Sequence, residues 1–333
     1  MFQKSWMAIV LAIALVAGQV QGQEVQEVGK VRPVPVNKKS IADTLLETGV
    51  TIRAGFGEGS GTLVTKKVKV GDEEVLMSFV WTAAHVVDGA RIVRKIIDPK
   101  TGAVRTIIQF KDVEIIKEHV YDGRTVGESK MFAKVLLYSD SEDGEDLALL
   151  IIRKPGFSTV SAKFYLDKPI PKVGSKLFHV GSLLGQDGHN SFTDGIISRV
   201  GRVFDLGSGD GVVFDQTTVT AFPGSSGGGV FLADGRYMGM LVRGAGETFN
   251  FVVPVRRMKA WAKERGIMWA LNNDPAPSWN ELKKIKPENQ TVGSASNSRT
   301  IKHKTFLKIN KKAEVSPEAV KALIMLKALQ GLK

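Results

Sequence analysis

Three residues have types and settings suited to acyl-transfer chemistry. His85 ends the string Trp81-Thr82-Ala83-Ala84-His85. Asp146 opens the apolar run Leu147-Ala148-Leu149-Leu150. Ser226 sits in Phe222-Pro223-Gly224-Ser225-Ser226-Gly227-Gly228-Gly229. A serine hydroxyl is a poor nucleophile near neutral pH and needs a base to take its proton. Imidazole suits that task because its proton affinity lies close to neutral pH. A carboxylate behind the imidazole fixes its tautomer and stabilises the imidazolium. The developing oxyanion needs donors already in place, and backbone N–H groups of a glycine-rich turn supply them. Gly224 permits the backbone such a turn requires, and Gly227 and Gly228 leave room for a substrate chain.

Each string alone has an ordinary structural reading: a histidine after a strand, an acid at a strand edge, a Gly/Ser loop. Their joint order, His then Asp then Ser along one strand-rich stretch, makes the chemical reading specific. Gly224-Ser225-Ser226-Gly227-Gly228 also fits G-x-S-x-G, the nucleophile elbow of another hydrolase architecture. That elbow lies between a strand and a helix, with its acid and histidine later in the chain. Here Val230-Phe231-Leu232 follows as a strand, and the one later histidine, His303, lies in a basic tail. Ser225 is the weaker nucleophile candidate because no Gly-Gly pair follows it directly. His119, His179 and His189 sit in no comparable string, and His179 reads as structural. The acidic stretch Asp140 to Asp146 does not have the EF-hand spacing and reads as a solvated loop. No metal site or cofactor is implied.

The elements that must position these residues are strands. From 48 to 254 the chain alternates short β-prone runs with Gly, Asp and Pro: Val75 to Trp81, Ala103 to Phe110, Phe132 to Tyr138, Ala148 to Ile152, Lys176 to Val180, Gly195 to Val200, Gly211 to Phe214 and Gly229 to Leu232. That pattern predicts an all-β fold of antiparallel barrels or a sandwich. One amphipathic helix is expected over Val255 to Arg265, with Met258, Trp261 and Ala262 on its apolar side and Gly266 at its end.

At this point the chain resembles the chymotrypsin-fold (trypsin-like) serine proteases, nearest to their high-temperature-requirement, or Deg, branch. The strings that carry the resemblance are Gly59-Ser60-Gly61-Thr62-Leu63, Thr82-Ala83-Ala84-His85-Val86-Val87, Asp146-Leu147-Ala148-Leu149, Asp194 to Arg202, Pro223-Gly224-Ser225-Ser226-Gly227-Gly228, and Gly239-Met240 through Phe251-Val252-Val253-Pro254. The resemblance implies two six-stranded antiparallel β-barrels with the active site between them. It makes His85 the general base, Asp146 its orienting carboxylate and Ser226 the nucleophile, with oxyanion donors on the backbone N–H groups of Gly224 and Ser226. It implies a protein or peptide substrate bound as an extended strand against Leu241-Val242-Arg243, with a pocket walled by Thr220, Ala221 and Phe222 and by Leu241 to Arg243. Small or medium apolar side chains are the expected preference, and Arg243 leaves room for acidic ones. Deg relatives often form homo-oligomers. Two departures stand out. The 61 residues from His85 to Asp146 exceed the compact Deg spacing, which predicts an extra hairpin or loop within Asp98 to Asp143. The segment after the protease body is too short and polar for a PDZ domain. A catalytically silent trypsin-like binding module is the competing function.

Composition sets the frame. The 333 residues include no cysteine, which removes disulfides, thiol catalysis and thiolate metal sites. The net charge is +12. Residues 1–22 read as a signal peptide, with Lys4 before the apolar run Met7 to Gly18, which is short for a membrane anchor. This predicts export, to a periplasm or the exterior. Residues 23–45 read as a lead-in segment, 46–271 as the protease domain, and 272–333 as a basic linker and C-terminal helix. The last segment holds 12 Lys/Arg against 5 Asp/Glu, suited to weak attraction to anionic polymers.

Overall fold

The computed structural model describes residues 39–121, 124–142, 144–204, 211–244 and 248–287. The expected signal peptide, most of the expected lead-in segment and the expected C-terminal helix lie outside the described residues.

A short helix α1 (Ile41–Leu46), capped by Ser40, precedes the first strand and buries Leu45. Six strands then close a barrel in the order β1 (Gly49–Ala54), β2 (Gly57–Val70), β3 (Glu73–Thr82), β8 (Leu147–Ile152), β7 (Arg124–Ser139) and β6 (Val113–Tyr121). A second antiparallel barrel follows in the order β10 (Gly188–Phe204), β11 (Val212–Thr217), β14 (Asn250–Pro254), β13 (Tyr237–Gly244), β12 (Gly229–Leu232) and β9 (Lys176–Leu183). The all-β, two-barrel expectation is met. Strand β8 is buried at all six positions, as its unbroken Leu-Ala-Leu-Leu-Ile-Ile run requires of a strand covered on both faces.

The long spacing between His85 and Asp146 has a visible cause. After the helical turn α2 (Ala84–Val87), strands β4 (Arg91–Ile97) and β5 (Val104–Phe110) pair only with each other. This extra hairpin starts at Arg91, seven residues before the expected insertion. The rest of the length goes into the β6–β7 hairpin, whose second strand runs for 16 residues.

Helix α3 (Val255–Glu264) leaves the second barrel and packs on the first. Trp261 meets Trp81 of β3 edge-on at 5.9 Å. The turn after it places Trp269 against Phe79 at 4.7 Å and lets the Trp81 indole donate to the Ala270 carbonyl at 3.0 Å. Each such aromatic pair adds about 1 kcal/mol beyond its area burial. The chain continues to pack past residue 271: helix α4 (Trp279–Leu282), capped by Ser278, buries Leu282 in the main core. No described helix is long and apolar enough to cross a membrane.

Candidate active site

His85 leaves β3 at the first turn of α2. Asp146 is the residue before β8, which pairs with β3, so strand pairing brings two residues 61 apart in sequence together. His85 Nδ1 lies 3.0 Å from both Asp146 carboxylate oxygens, and the His85 backbone N–H donates to Oδ1 at 3.2 Å. Asp146 is 2% exposed and holds a left-handed φ of 54°, which few residues other than glycine, asparagine and aspartate adopt readily. Burial alone would push the His85 ring toward neutrality. The Asp146 charge and hydrogen bond outweigh that and raise its pKa above the ordinary 6.5, while the Arg243 guanidinium opposes the rise. Burial likewise works against the Asp146 anion, but His85 and Arg243 hold its pKa below the ordinary carboxylate value.

The Ser226 turn lies between β11 and β12. Gly224 (φ +93°) and Gly227 (φ +87°) occupy backbone space that side chains rarely enter. A Cβ on Gly227 would lie 2.1 Å from the Ser60 carbonyl oxygen and 2.3 Å from Thr82 Oγ1. A Cβ on Gly59 would lie 2.6 Å from the Val86 methyls and 3.2 Å from the Ser226 carbonyl. The Ser226 turn therefore abuts the 82–86 segment that carries His85. The Ser226 hydroxyl donates to the Val242 carbonyl at 3.3 Å; no hydrogen bond between it and the His85 ring occurs among the described residues.

The turn's peptides are individually pinned. Leu184 N–H donates to the Pro223 carbonyl at 2.7 Å, and Gly228 N–H to the Ser225 carbonyl at 3.0 Å. In a planar trans peptide the C=O and the following N–H point in opposite directions. These two bonds thus fix the N–H directions of Gly224 and Ser226, and neither N–H has an acceptor among the described residues. Ser225 is buried, and its hydroxyl accepts the Phe222 N–H at 3.0 Å, a structural task that Asp or Asn could also do.

The remaining expected site residues are spread around this turn. Thr220 is partly buried and its carbonyl accepts from Thr193, Ala221 packs at the edge of the second barrel's core, and Phe222 is 42% exposed. Leu241 is buried in that core, and its backbone is tied to Gly227 and Gly228. Val242 is buried and offers its carbonyl to Ser226. Arg243 reaches the Ser141 carbonyl at 3.1 Å, beside the loop that carries Asp146. His179 is fully buried, bonded to the Gly229 carbonyl at 3.1 Å, and burial pushes its pKa down to about 4. Among the described residues no group of His, Cys, Asp or Glu is placed to hold a metal ion.

Sequence reasoning missed three supports. Arg257 on α3, 8% exposed, donates to the Glu145 carboxylate (2.9 Å), the Glu145 carbonyl (3.1 Å) and the Val213 carbonyl (3.0 Å). Its place four residues before Trp261, on the apolar helix face, was the available signal. Tyr138 donates to Asp88 at 2.6 Å, just past α2. Ser60 on β2 is fully buried between the barrels, and its flanking glycines Gly59 and Gly61 marked a close backbone approach.

Two antiparallel barrels with a His–Asp pair and a glycine-flanked serine turn between them define a peptidase body. The family model described as a trypsin-like peptidase domain matches residues 59–240, and the chain belongs to that family. Similar solved structures include Deg5 (19% identity, TM-score 0.47, covering 70% of this chain and 94% of that one). Another is Rv3671c from M. tuberculosis H37Rv in an inactive mutant form (18%, 0.48, 73% and 97%). A third is the MamO protease domain from Magnetospirillum magneticum (16%, 0.45, 66% and 97%). No curated protein matches the chain.

Proposed function

We propose that this protease is an exported serine endopeptidase that cleaves peptide bonds through an acyl-enzyme. His85 takes the Ser226 hydroxyl proton as Oγ attacks the scissile carbonyl. The C–N bond then breaks as His85 returns that proton to the leaving amine. Water, deprotonated by His85, hydrolyses the ester. Asp146 holds Nδ1 protonated and supports the transient imidazolium. The N–H groups of Gly224 and Ser226 receive the oxyanion.

The observation that carries this reading is the bidentate approach of buried Asp146 to His85 Nδ1, which directs Nε2 away from the carboxylate. Acylation requires Ser226 Oγ to exchange the Val242 carbonyl for the imidazole as acceptor, and catalytic bonds of this kind commonly tighten only when substrate is bound. The substrate is a protein or peptide strand lying against Leu241-Val242-Arg243, with a pocket bounded by Thr220, Ala221 and Phe222. Export rests on residues 1–22, and weak anionic-polymer binding on the basic tail.

The Val242 bond is also what a catalytically silent binding module would show. Hydrolysis of an unstructured protein substrate separates the two. Ser226→Ala should reduce turnover by roughly 10⁵- to 10⁶-fold with the melting temperature preserved. Equal activity in wild type and variant would refute the assignment.

A further inference from the structure

Ser60 makes more contacts with the Ser226 turn than its place on the other barrel would suggest. Its hydroxyl donates to the Gly224 carbonyl at 2.6 Å and accepts the Ser182 N–H at 2.7 Å. Its backbone N–H donates to the Ser226 carbonyl at 2.8 Å, and its own carbonyl accepts Thr82 Oγ1 at 2.7 Å. It is fully buried. One residue of β2 therefore holds the carbonyls of both residues whose N–H groups point free, and also grips β9 of the second barrel.

We infer that the Ser60 hydroxyl is a positioning residue for the oxyanion site, an inference that rests on the endopeptidase reading. The peptide joining Gly224 to Ser225 lies between the two peptides that carry the candidate donors. Gly224 has no Cβ and a φ of +93°, so no side chain of its own holds the conformation of that peptide. What holds it is one bond at each end: Ser60 Oγ to the Gly224 carbonyl, and Ser225 N–H to the Phe222 carbonyl at 2.9 Å. Without the hydroxyl the Gly224 carbonyl loses its partner and the peptide can turn. Loss of that anchor frees the Gly224 and Ser225 α-carbons on which the two flanking peptides hinge, and so loosens the orientation of the two free N–H groups that Leu184 and Gly228 otherwise set. The barrel that carries His85 thus sets the geometry of the oxyanion donors on the other barrel. The pocket and the imidazole are not directly touched, so the loss should appear in the transition state and not in ground-state binding.

The test compares Ser60→Ala and Ser60→Thr with wild type, all confirmed folded by melting. Ser60→Ala should lower kcat roughly 10- to 100-fold with KM within about 2-fold, less than the loss from deleting an oxyanion donor outright. The inhibition constant of a peptide boronic acid, which forms a tetrahedral adduct on a serine hydroxyl, should rise by the same factor. Ser60→Thr, which keeps the hydroxyl, should retain kcat. Unchanged kcat in Ser60→Ala, equal losses in both variants, or an alanine variant that does not fold would each overturn the inference. If wild type hydrolyses no peptide, the endopeptidase reading itself has failed, and that outcome is distinct from the other three.

Discussion

Arg257 on α3 reaches Glu145, the residue directly before Asp146, at 2.9 Å. It also binds the Glu145 carbonyl and stacks over Phe214 at 4.9 Å. The residue directly before Asp146 is thereby braced by a helix from the other barrel, 112 residues further along the chain.

Removing that brace should cost both stability and activity. Arg257→Ala leaves Glu145 and two carbonyls without their partner and should destabilise the fold by about 2–4 kcal/mol, the lower end reflecting the partial exposure of Glu145. Arg257→Lys should recover little, since an ammonium cannot span three acceptors in the planar geometry of a guanidinium. Denaturant unfolding of both variants measures this.

The acid limb of the kcat/KM profile should lie above pH 6.5, because the Asp146 charge raises the pKa of His85 and only the neutral ring can accept a proton. Two substitutions should move it in opposite directions. Asp146→Asn removes the charge that favours imidazolium, so the limb shifts to lower pH while kcat falls roughly 10⁴-fold through loss of the correct tautomer. Arg243→Gln removes a cation that opposes imidazolium, so the limb shifts to higher pH. Shifts of the same sign would contradict the electrostatic arrangement.

Gly59 separates Val86, beside His85, from the Ser226 carbonyl. Gly59→Ala should push these two apart by a fraction of an ångström or more, since its Cβ would lie 2.6 Å from Val86 and 3.2 Å from Ser226 O. A loss of about 100-fold in kcat is expected from such a displacement. Steady-state kinetics on the folded variant gives the answer.

His179 should affect stability and not the activity profile. Its pKa is lowered to about 4 in the folded protein, so between pH 6.5 and 4 the unfolded chain binds the proton first. That linkage removes stability as pH falls through this window. His179→Gln should flatten the decline, measured by melting temperature against pH, while leaving the acid limb of kcat/KM in place.

Much of the candidate site was legible in the sequence. The three candidate strings and the glycines around Ser226 stood out because each residue type is rarely needed in that combination for folding alone. The strand runs and the helix over Val255 to Arg265 followed from periodicity, and the helix ends one residue early, at Glu264. What was not legible depends on tertiary contacts. The start of the extra hairpin at Arg91 could not be read, because Arg91 to Ile97 is as β-prone as a barrel strand. The glycines beside Ser60 mark a close backbone approach, but its partners Gly224 and Ser182 belong to the second barrel and leave no mark near it in the sequence. Leu241 was expected at the pocket wall, yet its side chain is buried with Val219, Val230 and Val252. The β13 bulge between Leu241 and Arg243, which interrupts simple alternation, leaves no sequence mark.

The most direct measurement is labelling with a serine-directed fluorophosphonate, followed by mass spectrometric mapping of the adduct. Wild-type protein should carry a single adduct on Ser226, and labelling should be lost in Ser226→Ala and in His85→Ala. No adduct on folded wild-type protein, or an adduct on Ser225 instead, would contradict the claim that His85 activates Ser226 between the two barrels.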